Sequence, residues 1–197
     1  MTPPRITCLL HSHATVAALI KSPAGRPLAG DLLIECSRRP SLGLALSLET
    51  PSNYPGVAGL LGGIDPESLA HSADGLPAPI ILAAGEEVSV DALRSSLALL
   101  RRPDERLGHI TLLVPIGAAR ALGAALAVAD RFALAWDIAQ FPHEELIDFA
   151  RWLASEKLIE RDNFIGVLTY GADNADVAHP QKIAALLGPL TAARLGS

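Results

Sequence analysis

His109-Ile110-Thr111-Leu112-Leu113-Val114 runs into Pro115-Ile116-Gly117 and then into an alanine- and leucine-rich run from Ala118 to Asp130. A short run that is apolar at both odd and even positions has the pattern of a strand buried on both faces. Pro115 and Gly117 turn the chain, and the run that follows is long enough for about three helical turns.

The same cycle recurs in both directions. Upstream, Ile80-Ile81-Leu82-Ala83 follows Pro79, and Ser89 offers a helix N-cap. Val90, Leu93, Leu97 and Leu100 come next at helical spacing, with Arg94 and Arg101 outside the stripe and Pro103 as a stop. Downstream, Phe132 to Trp136 reads as a strand and Pro142 to Lys157 as a helix with Leu146, Phe149 and Leu153 on one face. Glu144 and Glu145 suit its first turn and Lys157 its last, as the helix dipole prefers. Phe164 to Tyr170 is a further strand, and Pro180 opens a last helix that Gly188-Pro189 breaks. Apolar strands separated by helices predict a mainly parallel sheet with helices on both faces, a Rossmann-like, doubly wound α/β fold. Strands near 80–83, 109–114, 132–136 and 164–169 are expected as parallel neighbours. Ile81, Leu93, Leu97, Leu112, Val114, Leu126, Leu134, Phe149, Leu153, Ile165 and Leu168 are the expected core.

The expectation is a single α/β domain over 1–197, with a repeating β/α part at 79–197 and a less regular part at 1–78. In the latter, Ile6 to Leu10 reads as a strand and Ala14 to Ile20 as a short helix. Leu32 to Cys36 and Leu42 to Leu48 read as a β-hairpin turning at Ser37-Arg38-Arg39-Pro40-Ser41. Thr50 to Pro79 is rich in Gly, Pro, Ser and Asp and reads as a long loop with one short helix near Pro66 to Ala70. Its stretch from Tyr54 to Ile64 is unusually apolar, so Val57, Leu60, Leu61 and Ile64 are expected to cover a sheet edge or to join two subunits of a homo-oligomer.

Half of the 197 residues are hydrophobic, which suits a large core, and scarce aromatics leave it to Leu, Ile, Val and Ala. The net charge of −5 comes with no basic run longer than Arg38-Arg39 or Arg101-Arg102, so no nucleic-acid partner is expected. No apolar stretch approaches the length of a membrane span, and the start, Met1-Thr2-Pro3-Pro4-Arg5, lacks a signal-peptide pattern. The expectation is a cytoplasmic protein with no membrane partner. Cys8 and Cys36 lie in apolar runs and read as buried free thiols.

No GxxxxGK[ST] phosphate loop, GxGxxG turn, GxSxG elbow or HExxH pair is present. The unit from Ile80 to Asp137 resembles, at the level of fold, the phosphoribosyltransferases and the nucleotide-binding electron-transfer flavoproteins. In the first family the loop after the strand carries an acidic pair and then a Thr-Gly phosphate cradle. Here it is Ala83-Ala84-Gly85-Glu86-Glu87-Val88-Ser89, with the acidic pair displaced and no Thr-Gly. For the second family no glycine-rich phosphate motif matches.

A parallel sheet collects the carboxyl ends of its strands at one edge, where ligands bind. Polar residues expected there are His11, Ser12 and His13 after the first strand, Asp137 beside Trp136 after another, and Asp173, Asn174, Asp176 and His179 after the last. His11, His13, Trp136, Asp137, Asp173, Asp176 and His179 are therefore the candidate ligand-binding residues. His11, His13, Asp137 and Asp173 have the donor types for a divalent metal that activates water. Each also has an ordinary local role as turn or cap. His109, at a strand start, reads as structural. Glu86, Glu87, Asp137, Glu144, Asp173 and Asp176 make the expected edge acidic, which favours neutral or cationic ligands or a metal. The expected function is a small-molecule-binding or assembly domain without strong catalytic motifs; the alternatives are a metal-dependent hydrolase or lyase with a His/Asp site at this edge, and a degenerate nucleotide- or phosphoribosyl-binding protein. For the last, free backbone N–H groups at Gly85 to Ser89 are the expected phosphate cradle.

Overall fold

The computed structural model describes residues 3–11, 32–37, 41–72, 74, 76–83, 89–101, 107–137, 143–155, 163–170 and 193–194. The strands are β1 (Arg5–His11), β2 (Leu32–Glu35), β3 (Ile80–Ile81), β4 (His109–Pro115), β5 (Arg131–Asp137), β6 (Phe164–Tyr170) and β7 (Ala193–Arg194). The helices are α1 (Ser41–Ala45), α2 (Pro66–Leu69), α3 (Val90–Leu99), α4 (Ala119–Leu126) and α5 (His143–Ser155), with a 3-10 turn over Gly56–Leu60.

The strands form one sheet in the order β3-β2-β4-β1-β5-β6-β7, and every pair in it is parallel. The doubly wound α/β expectation holds. The expected adjacency needs correction, because only β5 and β6 of the four expected strands are direct neighbours. β2 separates β3 from β4, and β1 separates β4 from β5. Burial accounts for this: β1 from Ile6 to His11 and all of β2 are closed to solvent on both faces, and a strand apolar on both faces belongs inside the sheet.

The two faces follow from crossover handedness. β3 to β4, β4 to β5 and β5 to β6 all step the same way along the sheet, so right-handed crossovers put α3, α4 and α5 on one face. Leu93, Leu97, Leu122, Ala125, Ala150 and Leu153 accordingly share a core with Ile6, Cys8, Leu10, Leu112 and Leu134. β2 to β3 steps the opposite way, and its helix α1 lies on the other face, with Leu42 and Leu46 against Leu9, Leu33 and Leu113.

The expected hairpin does not form. β2 is flanked on both sides by parallel strands and has no free edge, and residues 41–45 are helical. The alternation Leu42, Leu44, Leu46 imitates a strand, but Leu42 and Leu46 are buried while Leu44 is 84% exposed, as helical i, i+4 spacing requires. The short helix in the loop does form at Pro66–Leu69, with the Asp65 side chain accepting from Glu67 N and proline in the first turn. Ser89 caps α3 by accepting from Ala92 N at 3.2 Å.

Val57 and Leu60 enter the main core, whereas Leu61 and Ile64 stay exposed. A Cβ on Gly59 would meet Leu69 Cδ2 at 2.9 Å, so a larger residue there would have to push the buried Leu69 side chain aside. Of the expected core, Ile81, Leu93, Leu97, Leu112, Val114, Leu134 and Leu153 are buried, and Leu126 and Phe149 are partly so. Ile165 is 40% exposed instead. The β5–β6 register passes from Phe132↔Phe164 to Ala133↔Gly166, which makes Ile165 the extra residue of a bulge. The side chain of Leu168, the segments 14–20 and 180–189, and Lys157 lie outside what is described.

Candidate functional site at the carboxyl edge of the sheet

The chain leaves β1 toward β2 on one side and leaves β5 toward β6 on the other. Connections that diverge from adjacent strands open a crevice between them, the usual ligand position in such sheets. β1 and β5 are those neighbours. They end in His11 and in Trp136-Asp137. The structure thus brings two groups of the expected site residues to the two sides of the switch point. His11 pairs with Ala135, and Asp137 lies two residues farther on, about 7 Å along the strand.

His11 is fully buried, and its carbonyl accepts from Ile116 N at 2.9 Å, which fixes the turn out of β4 beside it. His13, Asp173, Asp176 and His179 lie outside the described residues, as does the segment 84–88 with Glu86 and Glu87. Among the described residues no group of three or more His, Cys, Asp or Glu is placed to hold a metal ion. His109, at the opposite end of its strand, exchanges a 2.9 Å hydrogen bond between its Nε2 and the Thr7 hydroxyl, in keeping with a structural role.

Sequence reasoning passed over the carboxylate at the β2 end of the same edge. Glu35 is 1% exposed. Its Oε1 accepts from Leu42 N at 2.9 Å and from the Ser37 hydroxyl at 3.1 Å, and its Oε2 accepts from Ala83 N at 3.1 Å. One carboxylate thereby joins the end of β2, the first turn of α1 and the exit of β3. Tyr54 is its companion. The Tyr54 hydroxyl donates to Leu69 O at 2.7 Å and accepts from Leu82 N at 3.2 Å, while its ring meets His71 edge-on at 5.1 Å. His71 in turn exchanges two backbone hydrogen bonds of 2.8 Å with Ile80, closing the outer edge of β3. The two residues after this two-residue strand therefore have their N–H groups held by side chains rather than by a ladder.

The electrostatics follow the burial. Desolvation raises the Tyr54 phenol to about 12; the Leu82 hydrogen bond lowers it and the charge of Glu35 raises it further. Burial pushes the Cys36 thiol well up, with Glu35 adding to the shift, and burial does the same to Cys8. Both cysteines are free and buried, as expected, and thiols held this firmly protonated are inert as nucleophiles. A signal for Glu35 was present in the sequence: one acidic residue inside the apolar run Leu32-Leu33-Ile34-Glu35-Cys36 has to find donors when the run is buried.

No family model matches the chain, and no curated protein matches it either. Solved structures do. The septum site-determining protein MinD from Pyrococcus horikoshii, complexed with Mg-ADP, superposes with a TM-score of 0.65 at 15% identity, covering 100% of this chain and 82% of that one. A chain of the MinC:MinD cell division protein complex of Aquifex aeolicus gives 0.64 at 16% identity, over 96% of this chain and 81% of that one. The cell division ATPase MinD of Pyrococcus furiosus gives 0.65 at 15%, over 98% and 84%. This chain has the fold of the MinD-type α/β proteins. The likeness extends over nearly the whole chain.

Proposed function

We propose that this protein is a degenerate nucleotide-binding domain, one that binds a nucleotide at the β1/β5 switch point and does not hydrolyse it. The observation that carries the reading is the sheet order, which sets His11 and Asp137 on either side of the crevice in a fold shared with a protein solved with Mg-ADP. Support for the loss of hydrolysis comes from the sequence that leaves β1. Ser12 to Ile20 contains neither glycine nor lysine, whereas a phosphate loop uses glycines to bring backbone N–H groups to the phosphates and a lysine to reach their charge. A nucleotide bound without such a loop would be held mainly by its base and sugar, with weaker support for a transferring phosphoryl. The domain then acts through binding and assembly.

Calorimetry and thermal melts with adenine and guanine mono-, di- and triphosphates, with and without magnesium, test this. Near 100 Kd of the preferred nucleotide the melting temperature should rise by about 5–10 °C, with phosphate release no faster than the blank. Absence of any shift at millimolar nucleotide would refute nucleotide binding. Turnover abolished by removing magnesium would refute the non-hydrolytic reading.

A further inference from the structure

The donors around Glu35 form an anion site that the protein fills itself. Leu42 N, Ala83 N and the Ser37 hydroxyl come from three separate segments and converge on one carboxylate at 2.9–3.1 Å. Two backbone N–H groups and a hydroxyl at such distances are the donors with which proteins hold free carboxylates and phosphates. Glu35 reaches them from the end of β2 and is 1% exposed, so solvent does not compete for them. We propose that Glu35 is a specificity-determining residue, a built-in anion that occupies this nest and excludes external carboxylates and phosphates from the β2–β3 end of the ligand edge.

An exogenous anion would have to displace a tethered, desolvated carboxylate, and until then would face its negative charge. The nearest route for anionic ligand groups is thus away from β2 and β3, two strands along, at the crevice between β1 and β5. This last consequence rests on the proposed nucleotide reading; the self-occupied nest does not.

Chemical rescue separates the two. Glu35→Ala removes the anion and leaves its donors, and should lower the melting temperature by about 4–8 °C, the scale for buried donors that lose a charged acceptor in a chain of this size. Sodium formate or acetate at tens of millimolar should restore at least half of that loss in Glu35→Ala and shift wild type by less than a degree, with sodium chloride as the ionic-strength control. Formate that acts equally on wild type and variant, or on neither, overturns the proposal. Should Glu35→Ala fail to fold, Glu35→Gln keeps the volume and exchanges the Oε2 acceptor for an amide. Hydrogen exchange at Ala83 N should then quicken at least tenfold relative to Leu112 in β4, and unchanged protection at Ala83 overturns the proposal as surely. Neither arm uses a nucleotide, so failure of nucleotide binding leaves both outcomes readable.

Discussion

At the scale of the residue, the side chains that matter most are those whose surroundings are fully determined. Leu97 is buried at the centre of the α3 stripe against the sheet. Leu97→Ala should cost about 2–5 kcal/mol in urea unfolding, as deletion of a buried leucine does. Tyr54 makes a pH prediction. Its phenol ionises near 10 in the unfolded chain and near 12 in the folded one. Between those values the folded state keeps a proton that the unfolded state has released, so stability falls as pH rises through this window. The buried thiols Cys8 and Cys36 act in the same direction from about their ordinary 9.0 upward. Melting temperatures across pH 8–11 should decline progressively. Tyr54→Phe should flatten only the part above pH 10, and an unchanged slope there would count against the buried phenol.

At the scale of the element, the sequence carried strand and helix identity well where the signal is local. The stripe Val90, Leu93, Leu97, Leu100 and the Ser89 cap defined α3, because 3.6-residue periodicity and a capping hydroxyl are properties of a few adjacent residues. Ser89→Ala should therefore cost about 1 kcal/mol, measurable as a shift of the denaturant midpoint at constant slope. Ile165 was misjudged for a reason equally local in effect but not in origin. The bulge that exposes it arises from the register of β6 on β5, and Ile165→Thr should accordingly leave stability within about 0.5 kcal/mol of wild type. The clasp at the amino end of β1 is another product of pairing. Asp130 accepts from Ile6 N at 2.8 Å and pairs with Arg101 at 2.8 Å, while Arg101 also donates to Val128 O. Asp130→Ala should cost about 1–3 kcal/mol through the orphaned Ile6 N–H. With the pair one third exposed, its ionic part alone should contribute under about 1 kcal/mol.

At the scale of the whole molecule, the sheet order sets the hierarchy of local stability. β1 and β4 share seven register pairs at the centre of the sheet, and β3 and β7 are two-residue strands at its edges. Amide exchange should be slowest in β1 and β4 and fastest in the edge strands, as cooperative opening proceeds from the least buried elements. A uniform exchange profile would contradict this. The same order puts the carboxyl ends of β1 and β5 side by side, which no count of strands along the chain could foretell.

The class of this fold is legible in local patterns of the chain. Runs apolar at both parities, alternating with helical stripes, leave few stable arrangements other than a parallel sheet covered on two faces. The same local patterns also placed His11 and Asp137 at strand ends, because a polar residue ending an apolar strand is a local event. Long-range contacts alone put β1 and β2 inside the sheet, turned Leu42 to Leu46 into a helical turn rather than a hairpin strand, and made Glu35 the tie between the end of β2, α1 and the exit of β3. Each of those outcomes depends on a contact between residues far apart in the chain. Glu35 meets Ala83 across 48 positions, and the N–H groups it binds carry no signature in the sequence, since every residue but proline has one.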